Sequence, residues 1–588
     1  MRLGNRRVLV LGLLLAVGGV ASAASADEGE GPSPLGFAGR SSQPPSKTQD
    51  DFLPIPDRWR IGFPQWERYP GKPGEYPYTT GSLWNPYNQN MLKGDYPIYG
   101  DDIFFIFTGV SDTLFEARRI PTPSNIPSKD PLSDEFFGRE EQYFLNQNWV
   151  ASMELFKGDS VYRPRDWEFR ITPVFNINYV DIGELKNTDI NPDQGPTRTD
   201  GHIGLQELFV EKHLADISPW YDFVSTRIGI QGFTSDFRGF IYSDNQLGAR
   251  LFGNYEANRQ QYNLAFFDQL EKDTNSGLNQ FDTKESVDGR QQWVTIANYY
   301  RQDTIWNSYT ASLSFHYNHD HPTRVHFDDN GFLVRPAVVG SVIPQFVPKL
   351  NHIDSYYLGW AGEGHIGRIN VSHAFYQVLG EEDFNPIAGR KVDIDARFFA
   401  LELSYDRDWL RTRAAFAYAS GDSDATDSNA KGFDTIEDNT AFAGGGISYW
   451  QRQGIPFLGS GVNLVNRLSI LPNLRSAKFE GQSNFVNPGL RLYNLGNDID
   501  LTPSTKVFLN VSYLQFDNTN PLEVILEQRK INRNIGIDYA IGVQYRPLLI
   551  GNVVFNVGAS ALTPNEGFRQ ILVDSTLFST FFAMTFTY

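Results

Sequence analysis

The chain contains no cysteine. Disulfides, thiolate metal sites, thioether-attached haem and a lipidated N-terminal cysteine are therefore all excluded. Long apolar runs are also missing: after Val20 no stretch approaches the roughly eighteen residues a membrane helix requires, and mean hydropathy is −0.37. A helical membrane protein does not fit. Basic residues are in deficit, with 51 Lys and Arg against 69 Asp and Glu, and the resulting formal charge of −18 argues against nucleic acid as a partner. No G-x-S-x-G, Walker A, H-E-x-x-H or strand-to-helix G-x-G-x-x-G stands out. The reading is of a non-enzyme that calls for no cofactor.

What the chain does have is aromatic residues in alternation. Phe and Tyr number 44 and 28, and aromatics make up 14% of the sequence. Period-2 segments recur, among them Trp167 to Tyr179, Phe223 to Gln231, Tyr309 to Tyr317, Asn534 to Arg546 and Asn552 to Ala561. In YTASLSFHY the residues Tyr309, Ala311, Leu313, Phe315 and Tyr317 share one face, and Thr310, Ser312, Ser314 and His316 the other. Such alternation suits a β-sandwich with an apolar core as well as a barrel with an apolar exterior. Loop lengths favour the barrel. About eighteen strands (16 to 20) can be placed, with long connections after odd strands, including 184–201, 320–350, 379–392 and 421–487, and tight turns after even ones, as at Asp406-Arg-Asp408. The expected fold class is all-β, a transmembrane antiparallel up-and-down barrel.

The two ends of the chain agree with that class. Arg2, Arg6 and Arg7 precede an apolar stretch from Val8 to Val20 and small residues ending at Ala26, so 1–26 reads as a signal peptide. The last residues, FSTFFAMTFTY, place Phe578, Phe582, Phe586 and Tyr588 in one phase and Thr585 and Thr587 in the other. This ending resembles the final strand of Gram-negative outer-membrane barrels. The resemblance implies a bacterial outer-membrane location with both termini periplasmic, contact with lipid and lipopolysaccharide, and recognition of the last strand by the barrel-assembly machinery. Phe582, Phe586 and Tyr588 are expected to face lipid. Residues 27–100 form a periplasmic extension, polar at first and then rich in Pro and aromatics, that either enters the lumen or closes the barrel mouth; 101–588 form the barrel, with a long extracellular loop at 421–487.

With aliphatic and aromatic residues facing lipid, the other phase lines the lumen. It carries Arg170, Arg227, Arg250, Arg368, Arg411 and Arg413 against Glu168, Glu402 and Asp538. Strand direction puts Arg227, Arg250, Arg368 and Arg413 nearest mid-membrane. Arginines in a low-dielectric pore favour anions, so the expected function is passive or gated passage of anionic or polyhydroxylated solutes. The alternative is a non-conducting barrel that sheathes or docks a periplasmic or surface partner. The loop 421–487 is too apolar in its middle, around Trp450, Phe457, Leu464 and Ile470, for a freely solvated segment, and it is expected to enter the barrel mouth or pack among its neighbours.

RIGIQGFTSDFRGF (Arg227 to Phe240), GARLFG (Gly248 to Gly253) and the long insertion before the closing hairpins are similar to the alginate-export family of outer-membrane channels. That resemblance, local to about thirty residues, implies an eighteen-stranded barrel exporting an anionic polysaccharide, with Arg227 and Arg250 as lumen residues. One further cluster is HYNHDHPTRVH, which groups His316, His319, His321 and His326. Imidazoles so close could hold zinc, nickel or copper. No carboxylate partner is visible in the sequence, and the expectation is surface histidines without a metal.

Overall fold

A computed structural model describes residues 83–87, 90–95, 97–100, 102–121, 138–158, 164–220, 222–280, 290–337, 349–458, 461–547 and 551–588. The segment 1–26, expected to be a signal peptide, and the rest of the chain to residue 82 lie outside the described residues. Eighteen strands form one closed antiparallel barrel. They are β1 Ile103–Arg119, β2 Gly138–Lys157, β3 Trp167–Glu184, β4 Thr197–Asp216, β5 Phe223–Thr234 and β6 Ser243–Tyr255. Next come β7 Gln260–Asp268, β8 Gln292–Arg301, β9 Tyr309–Asp320, β10 Ile353–Ile366, β11 Ile369–Asn385 and β12 Arg390–Arg407. The circuit finishes with β13 Leu410–Ala419, β14 Leu490–Thr502, β15 Thr505–Phe516, β16 Asn534–Tyr545, β17 Val553–Pro564 and β18 Leu577–Thr587. Pairing of β1 with β18, from Val110 opposite Thr587 to Arg118 opposite Ser579, closes the sheet.

Burial decides between the two architectures that alternation left open. In a sandwich the apolar phase would be buried, but here it is the exposed one. Leu313 is 57% exposed and Ile203 64%, whereas the intervening Asn178, Ser312, His316 and Asn318 are buried. Outward Phe175, Ile177, Leu358, Leu495, Val511 and Ile541 extend the same apolar surface across the strands. A water-soluble protein does not carry so much contiguous apolar surface. A barrel in lipid must.

Connections at one end are short, from two-residue turns such as Gly367–Arg368, Asp408–Trp409 and Pro503–Ser504 to the stretch 158–166, and the other end bears the long ones, up to 420–489. Two sequence expectations change here. Arg368 lies in the β10–β11 turn rather than mid-strand, because Gly367, at φ 61°, supplies the left-handed residue that a tight hairpin needs, while Gly362 and Gly364 stay within β10. The expected long loop at 379–392 is only the four residues between Asn385 and Arg390; this hairpin continues past the apolar belt on polar residues, among them Glu381 and Lys391 paired at 2.5 Å.

A third change is a flip of phase within β4. Pro173 of β3 has no N–H to give to the ladder, and beside it the register slips so that Thr172 faces Glu207 while Pro173 faces Leu205. Ile203 points outward before the bulge and Val210 after it. Glu207 and Glu211 thereby turn into the lumen.

At the seam, β1 runs beyond β18 by the residues 103–109, and the described part of the N-terminal extension covers that free edge. Phe107 N donates to Leu92 O at 2.8 Å, Lys93 Nζ to Phe107 O at 2.8 Å, and bridges join Lys93 to Ile106 and Tyr99 to Ile103. Phe582 and Phe586 face outward as expected, and Thr585 turns inward to Asp112 at 2.8 Å. Tyr588 does not simply face lipid. Its hydroxyl donates to Leu83 O and accepts from Asn90 Nδ2 at 2.9 Å, and Lys93 Nζ sits 4.5 Å from its ring, so this last side chain ties the extension to the seam.

Gly229 on β5 offers a test of the register. Its φ is 132°, and a Cβ there would lie 2.1 Å from Leu208 O and 2.7 Å from Phe209 Cα on the paired strand. Gly229→Ala should destabilise the barrel by about 3 kcal/mol, from backbone strain and the displaced β4. Urea unfolding in liposomes, followed by tryptophan emission, measures this; a change below about 0.5 kcal/mol would refute the register.

Candidate functional site

The lumen has two halves of opposite character. Towards the long connections it is filled by protein. The segment 420–489 folds inward and is buried along most of its length, with Phe433, Phe442, Trp450, Phe457, Leu464, Ile470 and Phe485 joining inward residues of β5, β7, β8 and β10 to β18 in one apolar core. The β5–β6 connection joins it. Asp236 gathers the backbone N–H groups of Arg238, Gly239 and Phe240 at 2.6–3.2 Å and the Tyr376 hydroxyl at 2.8 Å, which bends residues 235–242 into the barrel. There this connection pairs with the long loop: Glu437 N reaches Ile241 O at 3.0 Å, Asn439 N reaches Gly239 O at 3.0 Å, and Ala441 N reaches Arg238 O at 2.9 Å. The ring of Phe240 packs between Phe398 and Phe442, tilted to the first and edge-on to the second, with centroids 4.9 and 5.4 Å away.

Asp538, expected to line a pore, is instead an anchor for this loop. Ser448 caps the single-turn helix Tyr449–Arg452, and the inward carboxylate of Asp538 accepts from Ser448 Oγ at 2.5 Å, Trp450 N at 2.9 Å and Tyr449 N at 3.2 Å. A carboxylate fits there because the first N–H groups of a helix have no partner of their own. On the neighbouring wall, Gln453 Nε2 binds Glu116 of β1 at 2.6 Å and Ser579 of β18 at 3.2 Å, so the loop is tied to the seam as well.

Towards the short turns the lumen is lined by charges. Arg170 contacts Glu154, Glu168 and Glu207 at 3.2, 2.9 and 3.6 Å, and Arg165 joins Glu168 at 2.6 Å. Arg227 binds Glu211 at 2.5 Å through Nη2 and 2.8 Å through Nε. Arg238, brought down by the inward connection, meets Glu363 at 3.1 Å and Glu402 at 3.2 Å, and Arg413 meets Asp498 at 2.8 Å. Arg411 is half-exposed beside the turn, paired with Asp406 at 2.5 Å. Carboxylates thus match the arginines, against the twofold positive excess expected from one strand phase.

Arg250 departs from this pairing. It stands directly across from Arg227, and its guanidinium has no carboxylate within ion-pair distance among the described residues. Instead Nη2 donates to Asn263 Oδ1 at 2.8 Å, while Phe233 and Phe252 lie 4.7 and 4.8 Å from the cation. Two aromatic faces stabilise a cation without cancelling its charge.

Of the residues expected in the lumen, Arg170, Arg227, Arg250, Arg413, Glu168 and Glu402 come together in this lower half. Arg368 and Asp538 do not. Sequence reasoning missed Glu207 and Glu211, hidden by the bulge; Arg238, in a connection that turns inward; and Arg165, Glu363 and Asp498. Only the last two sat on strands whose phase could have revealed them. Of the histidines, His316 is buried inside the barrel near Tyr357 and Tyr376, whereas His319 and His321 lie on the outer side.

No family model and no curated protein matches the chain. Solved structures that resemble it include OccAB4 of Acinetobacter baumannii, at 10% identity and TM-score 0.42 over 83% of this chain and 98% of that one. OpdK of Pseudomonas aeruginosa with vanillate gives 9% and 0.44 over 82% and 98%, and a BenF-like porin of Pseudomonas fluorescens gives 10% and 0.43 over 82% and 98%.

Removing the Asp538 carboxylate should free the loop and leave the barrel closed. In Asp538→Ala three donors lose their acceptor, worth about 3 kcal/mol of docking, and limited proteolysis should cut between residues 440 and 480 while the barrel fragments remain associated. Unchanged resistance would show that the core alone holds the loop.

Acid should tighten the same docking. Burial pushes the carboxyl of Asp434 up to about 6, with Arg475 opposing, and that of Asp328 up to about 7. A raised carboxyl binds its proton more tightly in the packed state. The penalty for ionising it is absent below the unfolded value near 4, grows as pH rises, and is complete above about 7. Hydrogen exchange of amides 430–485, corrected for the intrinsic pH effect, should slow between pH 7.5 and 5.0, and Asp434→Asn should flatten the trend; exchange that speeds up on acidification would contradict it.

Proposed function

We propose that the chain is an outer-membrane channel for small hydrophilic solutes, anionic or polyhydroxylated, gated by the inward-folded segment 420–489. The observation that carries this reading is a closed barrel whose apolar exterior surrounds a charged lower lumen. Both termini then lie at the periplasmic end with the short turns, and the long connections lie outside the cell. Preference for anions rests on Arg250, which has no carboxylate within ion-pair distance among the described residues, beside Arg227. An anionic polysaccharide as substrate rests on the Arg227 to Phe240 resemblance alone. The second reading, a non-conducting scaffold, is favoured by one observation, the continuous apolar core inside the upper half.

Planar bilayers separate the two. The wild-type protein should give discrete conductance steps, increased at least twofold by Asp538→Ala, and its reversal potential in a KCl gradient should report anion preference that Arg250→Glu shifts toward cations. Silence from both wild type and Asp538→Ala would leave the scaffold reading; cation preference unaltered by Arg250→Glu would remove the charge argument.

A further inference from the structure

On the outer face of the barrel, at the end carrying the long connections, three neighbouring strands bring together a set of side chains unrelated to the lumen. Trp293 of β8, His319 of β9 and Asp354 of β10 are direct cross-strand partners in one row. His321, the first residue after β9, closes over them. Asp354 uses both carboxylate oxygens: Oδ1 lies 2.8 Å from His319 Nδ1, and Oδ2 lies 2.7 Å from His321 Nε2. The two imidazoles lie against each other at a tilt of 33° with centroids 3.8 Å apart, and the ligand atoms of all three residues fall within 4.8 Å of one another.

We propose that His319, His321 and Asp354 form a site for a divalent transition metal. Two imidazole nitrogens and one carboxylate oxygen on one side of an ion are the ligand set of zinc, nickel or copper, and not of calcium or magnesium, which take oxygen. Metal–ligand bonds near 2.1 Å require that the ring nitrogens give up the protons shared with Asp354, that each hydrogen-bonded pair part slightly, and that the more distant ligand atoms, now up to 4.8 Å apart, draw together. His321 lies beyond the strand and can make that adjustment. Side chains 24, 33 and 23% exposed leave the remaining positions open to water.

Surrounding contacts are those expected of a supported site. The Tyr317 hydroxyl donates to Asp354 Oδ1 at 2.7 Å and orients the carboxylate. His352 stacks on His321 at 4.8 Å and is itself held by Asp383 at 3.0 Å. A single dication would satisfy a lone pair of each ring and the carboxylate together. Bound there, it would fasten the entry of the 321–352 connection to β10.

Untagged, chelator-stripped protein in detergent tests this with zinc alone, titrated at pH 7.5 against a chromophoric competitor. We expect one equivalent, weakened at least tenfold by each of His319→Ala, His321→Asn and Asp354→Asn. His365→Ala, near the opposite rim, should not change it. Heat-dependent gel migration confirms that each variant remains a folded barrel. Copper gives an independent readout, since His319 lies 5.1 Å from the Trp293 ring: stoichiometric copper should quench tryptophan emission, less so in Trp293→Phe. Absence of stoichiometric zinc binding, or binding retained by the His319→Ala/His321→Asn double variant, would overturn the proposal and leave a hydrogen-bonded surface cluster.

Discussion

Every feature of this molecule depends on the need to satisfy backbone hydrogen bonds where water is absent. An open sheet in lipid would leave an edge of unpaired N–H and C=O groups, each costing several kcal/mol. Pairing of β1 with β18 removes the edge, but β1 is longer than its partner, and the residue is a short free edge at 103–109. Residues 90–99 meet it with their own backbone groups, and Tyr588 is fixed where the chain's last residue, the extension and β1 converge. Closure also dictates the side-chain pattern. Once the sheet is a cylinder, one phase has lipid as its solvent and the other has whatever fills the interior.

What fills the interior changes along the axis, and this sets the chemistry available. Near the long connections the inward phase supplies apolar side chains to a packed core: Ile353, Tyr357, Val378, Ile394 and Phe398 join residues of the loop 420–489 there. Near the short turns it is charged and paired. Polar groups that cross between the halves are anchors rather than lining. Asp236 and Asp538 each collect several backbone donors, so each holds a segment of chain inside the barrel by hydrogen bonds that water would otherwise supply.

Barrel class, strand number and outward phase were legible in the sequence because all three follow from period-2 alternation and loop length. The phase of Leu313 and Phe315, or of Phe582 and Phe586, could be read directly. The lumen was less legible for a physical reason: alternation says that a residue faces inward but not what it meets there. Asp538 was correctly inward, yet its partner lies ninety residues away in a loop. Glu211 was lost for a different reason, a single bulge beside Pro173 that reverses the phase of half a strand. The Asp354 partner of His319 and His321 was separated from them by a long connection, and only strand register brings it alongside.

The pairing of lumen charges bears on how such an interior could treat a passing ion. An arginine held at hydrogen-bond distance by a carboxylate acts from afar as a dipole, and its field decays faster than that of a single charge. Pairs such as Arg227 with Glu211, or Arg413 with Asp498, therefore make the wall polar and capable of hydrogen bonding without giving it a sign. That suits hydroxylated solutes as well as charged ones. A net sign survives only where a charge is stabilised by groups that do not neutralise it, which is what two aromatic faces and an amide do for Arg250. In a low-dielectric enclosure one such charge outweighs several pairs. Charge selectivity in this barrel is thus governed by how its arginines are held more than by how many there are.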